Sequence, residues 1–498
     1  MKFKLIFLSL FFSVFYSCSK EYSCENCLQF PQNHIVTFLD CGSSYFSSPA
    51  FVNTPYLGYC TIPYTGGNGL DFKDSDPVTS TGVSGLTATL SAGTLALGDS
   101  NLTYTISGTP IAVGDATFYI DFRGQSCSIT LKVDSSSAII VIPSKIRIAT
   151  QKERCLVVLP NGTVKAWGDN AFGQLGDGTT IDSHTPVQVK NLSGISAVAT
   201  GAYHSLALKN DGTVWAWGKN EFGQLGDGTE TEIHTPKQVV NLAGIISIAG
   251  GYDYSLALKY DGTVWAWGSN LMGQLGDGTY IAKRTPVKVI NLSGITAIAG
   301  GLNHCLALKN DGTVWAWGWN LNGTLGDGTN IPKRSTPLQI NNLSGITAIA
   351  ANGSNHSLAL RNGSTVWVWG DNSHGQLGDG TSVYKDLPIQ LGTLRGVTTI
   401  GVGEDHSFVV RKDGTIWAWG WNGVGQLGVS LAFSYHQLSP VKVDLLSEII
   451  AIVGGNFHSL AQKNDGTIVT MGGNVFGQLG DGTNTVYRYT PTIVNGLK

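Results

Sequence analysis

The stretch Gly201-Ala-Tyr-His-Ser-Leu-Ala-Leu-Lys-Asn-Asp-Gly-Thr-Val-Trp-Ala-Trp-Gly218 decides the fold, together with its continuation Lys-Asn-Glu-Phe-Gly-Gln-Leu-Gly-Asp-Gly-Thr229, Thr235-Pro236 and Asn241-Leu-Ala-Gly-Ile245. Ser-Leu-Ala-Leu and Thr-Val-Trp-Ala-Trp read as β-strands, and the Asp-Gly between them supplies the positive φ angles of a two-residue hairpin. The text then repeats. The glycine after the tryptophan run falls at Gly168, Gly218, Gly268, Gly318, Gly370, Gly420 and Gly472, with spacings of 50, 50, 50, 52, 50 and 52. Seven units of about fifty residues signal an array or a closed ring. The runs are apolar on both faces, as in a blade packed between two neighbours. Closure of seven four-stranded blades leaves no long exposed edge. The expected fold class is therefore all-β, with a seven-bladed β-propeller over 144–498.

The array opens at Lys145-Ile-Arg-Ile-Ala-Thr150, which matches Ile195-Ser-Ala-Val-Ala-Thr200. It closes on Thr490-Pro-Thr-Ile-Val494, which matches the strand preceding that segment elsewhere. From this order the strand at 490–494 is expected to complete the first blade.

Upstream, Lys2 and Lys4 precede an apolar run over 5–16 that is short for a membrane span. It ends in Phe-Tyr-Ser-Cys18 and resembles a bacterial lipoprotein signal, although Phe15 stands where Leu is usual. The resemblance implies a signal peptide over 1–17, lipidation of Cys18 and a tether over 18–35. The chain would then be exported and lipid-anchored at the outer membrane or cell surface of a diderm bacterium. Short alternating runs over 36–134, among them 102–106, 116–122 and 128–133, suggest a small β-sandwich. Its Gly- and Thr-rich text resembles an immunoglobulin-like module of secreted bacterial surface proteins. A linker at 135–143 follows. Export favours one or two disulfides among Cys24, Cys27, Cys41, Cys60 and Cys127, with the pairing open. Cys155 and Cys305 take repeat positions where other units have Ser, so they read as small buried residues.

Charged residues are only 13% and net charge is −3, with no basic stripe, which argues against a nucleic-acid partner. His204, His304, His356, His406 and His458 share one repeat position, with Arg154 and Tyr254 in the other two units. Groups placed once per blade do not converge on one ion, so they read as buried, hydrogen-bonded structural residues. Gly-Asp-Gly-Thr lacks the alternating acidic ligands of a calcium loop. No phosphate loop, HExxH or nucleophile elbow is present. Neither a cofactor nor a metal nor catalysis is expected.

Two windows change from unit to unit while the rest stays constant. One is the pair before the histidine position, from Lys152-Glu153 and Ala202-Tyr203 to Asn456-Phe457; the other follows Trp-Gly. Strand alternation puts both at one end of the blades. The expected binding face is Tyr203, Phe222, Tyr252, Met272, Trp319, Asn322, His374, Trp421, Phe433, Tyr435, Phe457 and Phe476. A face rich in Tyr, Trp, Phe and Asn suits recognition of a protein, or of a glycan, by a monomer. Lys283-Arg284 and Lys333-Arg334 read as a solvated basic rim.

The repeat resembles the regulator of chromosome condensation repeat family, carried by His-Ser-Leu-Ala-Leu, Asp-Gly-Thr-Val-Trp-Ala-Trp-Gly, Asn-x-x-Gly-Gln-Leu-Gly and Thr-Pro, in a match that spans all seven units. The resemblance implies a seven-bladed propeller. Its members include a nucleotide exchange factor, ubiquitin-ligase modules and a secreted inhibitor of β-lactamases. A surface-anchored binding scaffold is the leading expectation; inhibition of a secreted hydrolase and guanine-nucleotide exchange are the alternatives.

Overall fold

A computed structural model describes residues 36, 38–46, 50–51, 56–134, 147–362, 365–429 and 435–497. The expected signal peptide, Cys18, the expected tether with Cys24 and Cys27, and the expected 135–143 linker lie outside the described residues, as does Phe433.

Seven four-stranded antiparallel sheets follow one another at 148–188, 195–238, 245–288, 295–339, 346–391, 397–442 and 449–493, called blades 1 to 7 here. In blade 2 the strands are Ile195–Thr200, His204–Lys209, Val214–Gly218 and Ile233–Gln238. The second and third pair in register, His204 with Gly218 and Leu208 with Val214. The hairpin between them differs from the expected two-residue turn. Of Asn210, Asp211 and Gly212, only Gly212 has a positive φ, +79°. Gly212 N–H donates to Lys209 O at 3.1 Å, and Lys209 N–H to Thr213 O at 2.9 Å. The loop therefore has three residues with glycine in the left-handed position. The reason is Asp211: its Oδ1 accepts from Thr213 N–H at 2.9 Å and from Thr213 Oγ1 at 2.6 Å, fixing the turn from its own side chain.

The core lies between blades. Leu156, Val164 and Leu175 of blade 1 pack with Ala207 and Trp217 of blade 2 in one buried cluster, and the pattern repeats around the ring. Trp217 Nε1 donates across the gap to Gln174 O at 2.8 Å. Equivalent bonds run from Trp267 to Gln224 O, Trp317 to Gln274 O and Trp419 to Gln376 O. Such bonds satisfy the indole N–H that burial would otherwise leave unpaired. The glycine after each tryptophan run is needed for close approach: a Cβ on Gly218 (φ +106°) would stand 2.5 Å from Tyr203 O.

The order of closure corrects the sequence expectation. The last strand, Tyr487–Ile493, pairs with Ile468–Gly473 of its own unit and completes blade 7; blade 1 is completed by its own Ser183–Gln188. Each blade is one contiguous stretch. The short Asn-Leu-Ser-Gly links make the fourth strand of one unit and the first of the next neighbours in sequence, so both framings fit the repeat. The strand pairing decides between them. Pro236 lacks an N–H and belongs on an outer edge strand, here paired with the third strand of the same unit. Side chains close the ring at the seam of blades 7 and 1. His458 Nε2 lies 2.7 Å from Thr150 Oγ1, and Trp167 Nε1 donates to Gln478 O at 3.0 Å.

The described residues between 36 and 134 form two larger sheets and a two-stranded pair, Asp71–Phe72 with Gly93–Thr94. One runs through Phe38–Leu39, Tyr56–Asn68, Leu97–Gly108, Leu86–Leu90 and Val78–Thr79, with Tyr45–Phe46 beside Tyr56–Asn68; the other runs through Ala50–Phe51, Gln125–Asp134, Gly114–Phe122 and Thr81–Gly82. Both share one core that includes Ile62, Tyr104, Phe118 and Leu131. The three expected strands fall inside the observed ones. Cys41 and Cys127 form a disulfide, and Cys60 is a buried thiol that desolvation pushes up to about 12.

Candidate functional site

Both variable windows lie at the same end of every blade, because the second strand starts and the third ends there. The loops that carry them are rigid for reasons readable in the constant residues. Asn220 Nδ2 donates to Asp227 Oδ1, Thr229 O and Thr231 O, while its Oδ1 accepts from Leu225 N–H. Asp227 in turn accepts from Thr229 and from Lys237 Nζ at 2.8 Å. The Gly-Asp-Gly-Thr carboxylates are thus used within the loop. The basic rim is paired too, Arg284 with Glu230 and Arg334 with Asp327, each at 2.8 Å. The variable residue two before each Gln has its N–H bound to that side chain: Phe222 to Gln224, Met272 to Gln274, His374 to Gln376 and Phe476 to Gln478.

Beneath the face runs a ring of side-chain bonds between blades. His204 Nε2 meets Ser255 Oγ at 2.8 Å, His304 meets Ser357 at 2.9 Å, His356 meets Ser407 at 2.8 Å and His406 meets Ser459 at 2.9 Å. Arg154 donates to Gly201 O and Ser205 Oγ, and Tyr254 Oη to His304 O at 2.6 Å. Ser255 Oγ itself donates to Gln224 O, so His204 is the donor at Nε2 and its Nδ1 carries no proton. Burial holds these imidazoles far below their usual range, His304 to about 4 and the other four to about 3. Among the described residues, no group of three His, Cys, Asp or Glu side chains could hold a metal.

Of the expected face residues, the structure brings two groups together. Tyr203 stands edge-on to Phe172 at 5.3 Å and to Tyr252 at 5.9 Å; Trp421 contacts Phe457 at 5.1 Å and His374 at 6.4 Å. Phe222 joins the first group through Lys219, and Phe476 the second, lining one pocket with Trp421 and Phe457. Met272 is half-buried, and Asn322 is exposed in a short turn at Leu321–Gly323 (φ +58°). Trp319 is half-buried on blade 4 and Tyr435 exposed; neither has a ring partner among the described aromatic contacts. Asn352 crosses the ring axis, donating to Thr150 O at 2.9 Å and Gly454 O at 2.8 Å. It sits in a window one residue longer than the others, ten steps from Ile346 to His356 against nine from Ile295 to His304.

The aromatic content hid the acidity of this face. The windows carry Glu153, Asp169, Asp253, Asp371, Glu404 and Asp405, six carboxylates, against Lys152 and Lys219. That is −4 in the windows of a chain whose total is −3. Burial pushes Glu153 and Asp405 up to about 7, and raises Asp169 and Asp253. A charge sum over the two windows would have found this from sequence.

The RCC1-like domain model matches residues 102–352. The regulator of chromosome condensation (RCC1) repeat matches 364–410 and 413–462, and a second repeat model 346–376 and 397–426. The mouse E3 ubiquitin-protein ligase HERC2 is 31% identical over 156 residues, which is 31% of this chain and 3% of that protein. The chain thus spans a small part of that curated relative. Among solved structures, Prp20p from Saccharomyces cerevisiae is 25% identical with a TM-score of 0.60, over 68% of this chain and 87% of that one. Human WBSCR16 is 23% identical with a TM-score of 0.61, over 67% and 94%. The domain match covers half the chain and the repeat matches most of the remaining blades, so the chain belongs to the regulator of chromosome condensation (RCC1) repeat family.

Proposed function

We propose that this chain is a binding protein that recognises a protein partner through the variable face of its propeller. The observation that carries the reading is the pairing of rings on that face, Phe172–Tyr203–Tyr252 and His374–Trp421–Phe457, held on loops whose backbones are fixed by Asn and Gln side chains. Rigid aromatic anchors lose little conformational freedom on association and dominate interface energies. A relative supports a protein as the ligand: the Prp20p structure is described with its binding to Gsp1p and histones. The Cys18 signal supports a surface-anchored scaffold, with the lipid as its contact with the membrane, and brings a secreted hydrolase within reach as one such partner.

The test is capture from surface and secreted extracts, comparing the unmodified chain with a Trp319→Ala, Trp421→Ala variant of equal thermal stability. A polypeptide retained by the first and lost by the second identifies the partner. Equal retention by both removes this face as the binding surface. A ligand that survives exhaustive proteolysis of the extract replaces the protein partner with a glycan.

A further inference from the structure

Aromatic rings and carboxylates meet at three places on this face, and at two of them a lysine of the chain itself fills the gap. Lys219 Nζ lies 5.7 Å from the ring centroids of Phe172 and Tyr203 and 5.8 Å from that of Phe222. It also stands 3.1 Å from Glu221 and 3.8 Å from Asp253. Lys152 Nζ lies 5.3 Å over Tyr252 and 3.0 Å from Glu404. Ring faces attract cations through their quadrupoles, and more strongly where water is partly excluded. Each niche is a cation site whose occupant the chain supplies.

The third niche lies where blades 6, 7 and 1 meet. A pocket of about 220 Å³ is walled chiefly by apolar groups, among them Trp421, Val424, Phe457 and Phe476, and Glu153 is one of the residues at its lining. No lysine or arginine is among the residues that line it. Lys152, the neighbour of Glu153 in sequence, is turned to Glu404. Glu153 accepts from Gln478 Nε2, which also lines the pocket. The other basic group beside its carboxylate is His458, whose Nδ1 lies 3.9 Å from Oε2 and which burial keeps neutral, so an ionised Glu153 has no cation of its own to offset its burial. The surrounding excess of carboxylates over lysines would draw that cation in.

We infer that this pocket receives a lysine or arginine side chain of the partner polypeptide, its stem along Trp421, Phe457 and Phe476 and its charge at Glu153. This rests on the variable face being the binding surface, and it specifies the partner: a segment presenting a basic residue. The arrangement reproduces what Lys219 does within the chain, with the cation supplied from outside.

Fluorescence anisotropy of labelled hexalysine with the full chain, at low ionic strength, tests it, with labelled hexaglutamate as the control. Hexalysine should bind and hexaglutamate should not. Glu153→Gln and Phe476→Ala should each weaken hexalysine by about tenfold or more. Asp261→Asn, the same loss of charge on a turn at the opposite face, should change it less than about twofold. Phe476 is partly exposed, so its variant tests the pocket even if Glu153→Gln unfolds the seam. Equal loss for Glu153→Gln and Asp261→Asn, or absence of hexalysine binding, overturns the inference. A captured partner that needs Trp319 and Trp421 yet is indifferent to Glu153→Gln and Phe476→Ala leaves the face standing and removes only the pocket.

Discussion

Acidification from pH 7 to pH 5 should destabilise the propeller by several kcal/mol, and the five buried histidines supply the reason. Each is buried with its Nε2 engaged to Ser or Thr of the next blade. The Nδ1 of His204, His356, His406 and His458 has no hydrogen-bond acceptor. A second proton would have to sit there without a hydrogen bond, and only at His458 is a carboxylate near, Glu153 Oε2 at 3.9 Å. The folded state therefore takes it up only at about 3 to 4, whereas an unfolded imidazole does so near 6.5. A depressed pKa means stability that is complete above the unfolded value and lost as pH falls from there toward the folded one. Between pH 7 and pH 5 the loss is about 2 kcal/mol per histidine, or about 9 kcal/mol for the ring. Glu153 and Asp405 act in the opposite sense, as do Asp169 and Asp253, which burial raises less. With folded values of about 7, Glu153 and Asp405 take up protons in the folded state first and return about 2 kcal/mol each over the same window. The net expectation is a loss of about 5 kcal/mol. Urea unfolding at the two pH values, followed by fluorescence of the buried tryptophans, measures it. His356→Gln should flatten the dependence by about 2 kcal/mol. A midpoint unchanged between pH 7 and 5, or higher at pH 5, would refute the reasoning, because the folded histidines would then be carrying charge.

Other expectations follow from the same contacts. Trp267→Ala should lower stability by about 3–5 kcal/mol, since it empties a fully buried inter-blade site and leaves Gln224 O one donor short; calorimetry on the full chain checks it. Asn352→Ala should lower the unfolding midpoint by about 1–3 kcal/mol, because carbonyls of blades 1 and 7 lose their shared donor across the axis; an unchanged midpoint would mean water replaces the amide without loss. Reduction of Cys41–Cys127 should cost the unit between 36 and 134 about 4–5 kcal/mol, given its loop of 86 residues. Tryptophan emission should report no change on that reduction, because all six of the fully buried tryptophans are in the blades.

Much of this architecture was legible because each repeat states its own strands, turns and phase. Trp-Ala-Trp-Gly, the turn aspartates, the Asn present in every unit and the Gln present in all but the fourth, which has Thr324, do locally what their chemistry suggests. Two features escaped for a shared reason, which is that a circular repeat has no marked origin. The phase that joined 490–494 to blade 1 and the phase that left each blade whole are equally periodic. Only the strand pairing within one unit, with Ala216 opposite Lys237, separates them. The binding face was located by variability, which marks position but not chemistry. It drew attention to rings such as Trp319, which stands apart from both ring groups. It passed over Glu153, whose significance comes from Phe457 and Phe476, more than 300 residues away in the chain and next to it across the seam.

A ring whose blades are each one uninterrupted stretch has a consequence for how the chain is made. Each blade contains all four of its strands once its own last residue has emerged, so it can be finished while the next is still being synthesised. A ring latched by exchanging its first and last strands would keep an incomplete sheet waiting until the end. Here the final event is the meeting of two finished surfaces, Trp167 and Thr150 against Gln478 and His458. Gain or loss of one fifty-residue unit by recombination would likewise leave every remaining blade intact, and only the fit at that meeting point would set how many blades the ring can hold.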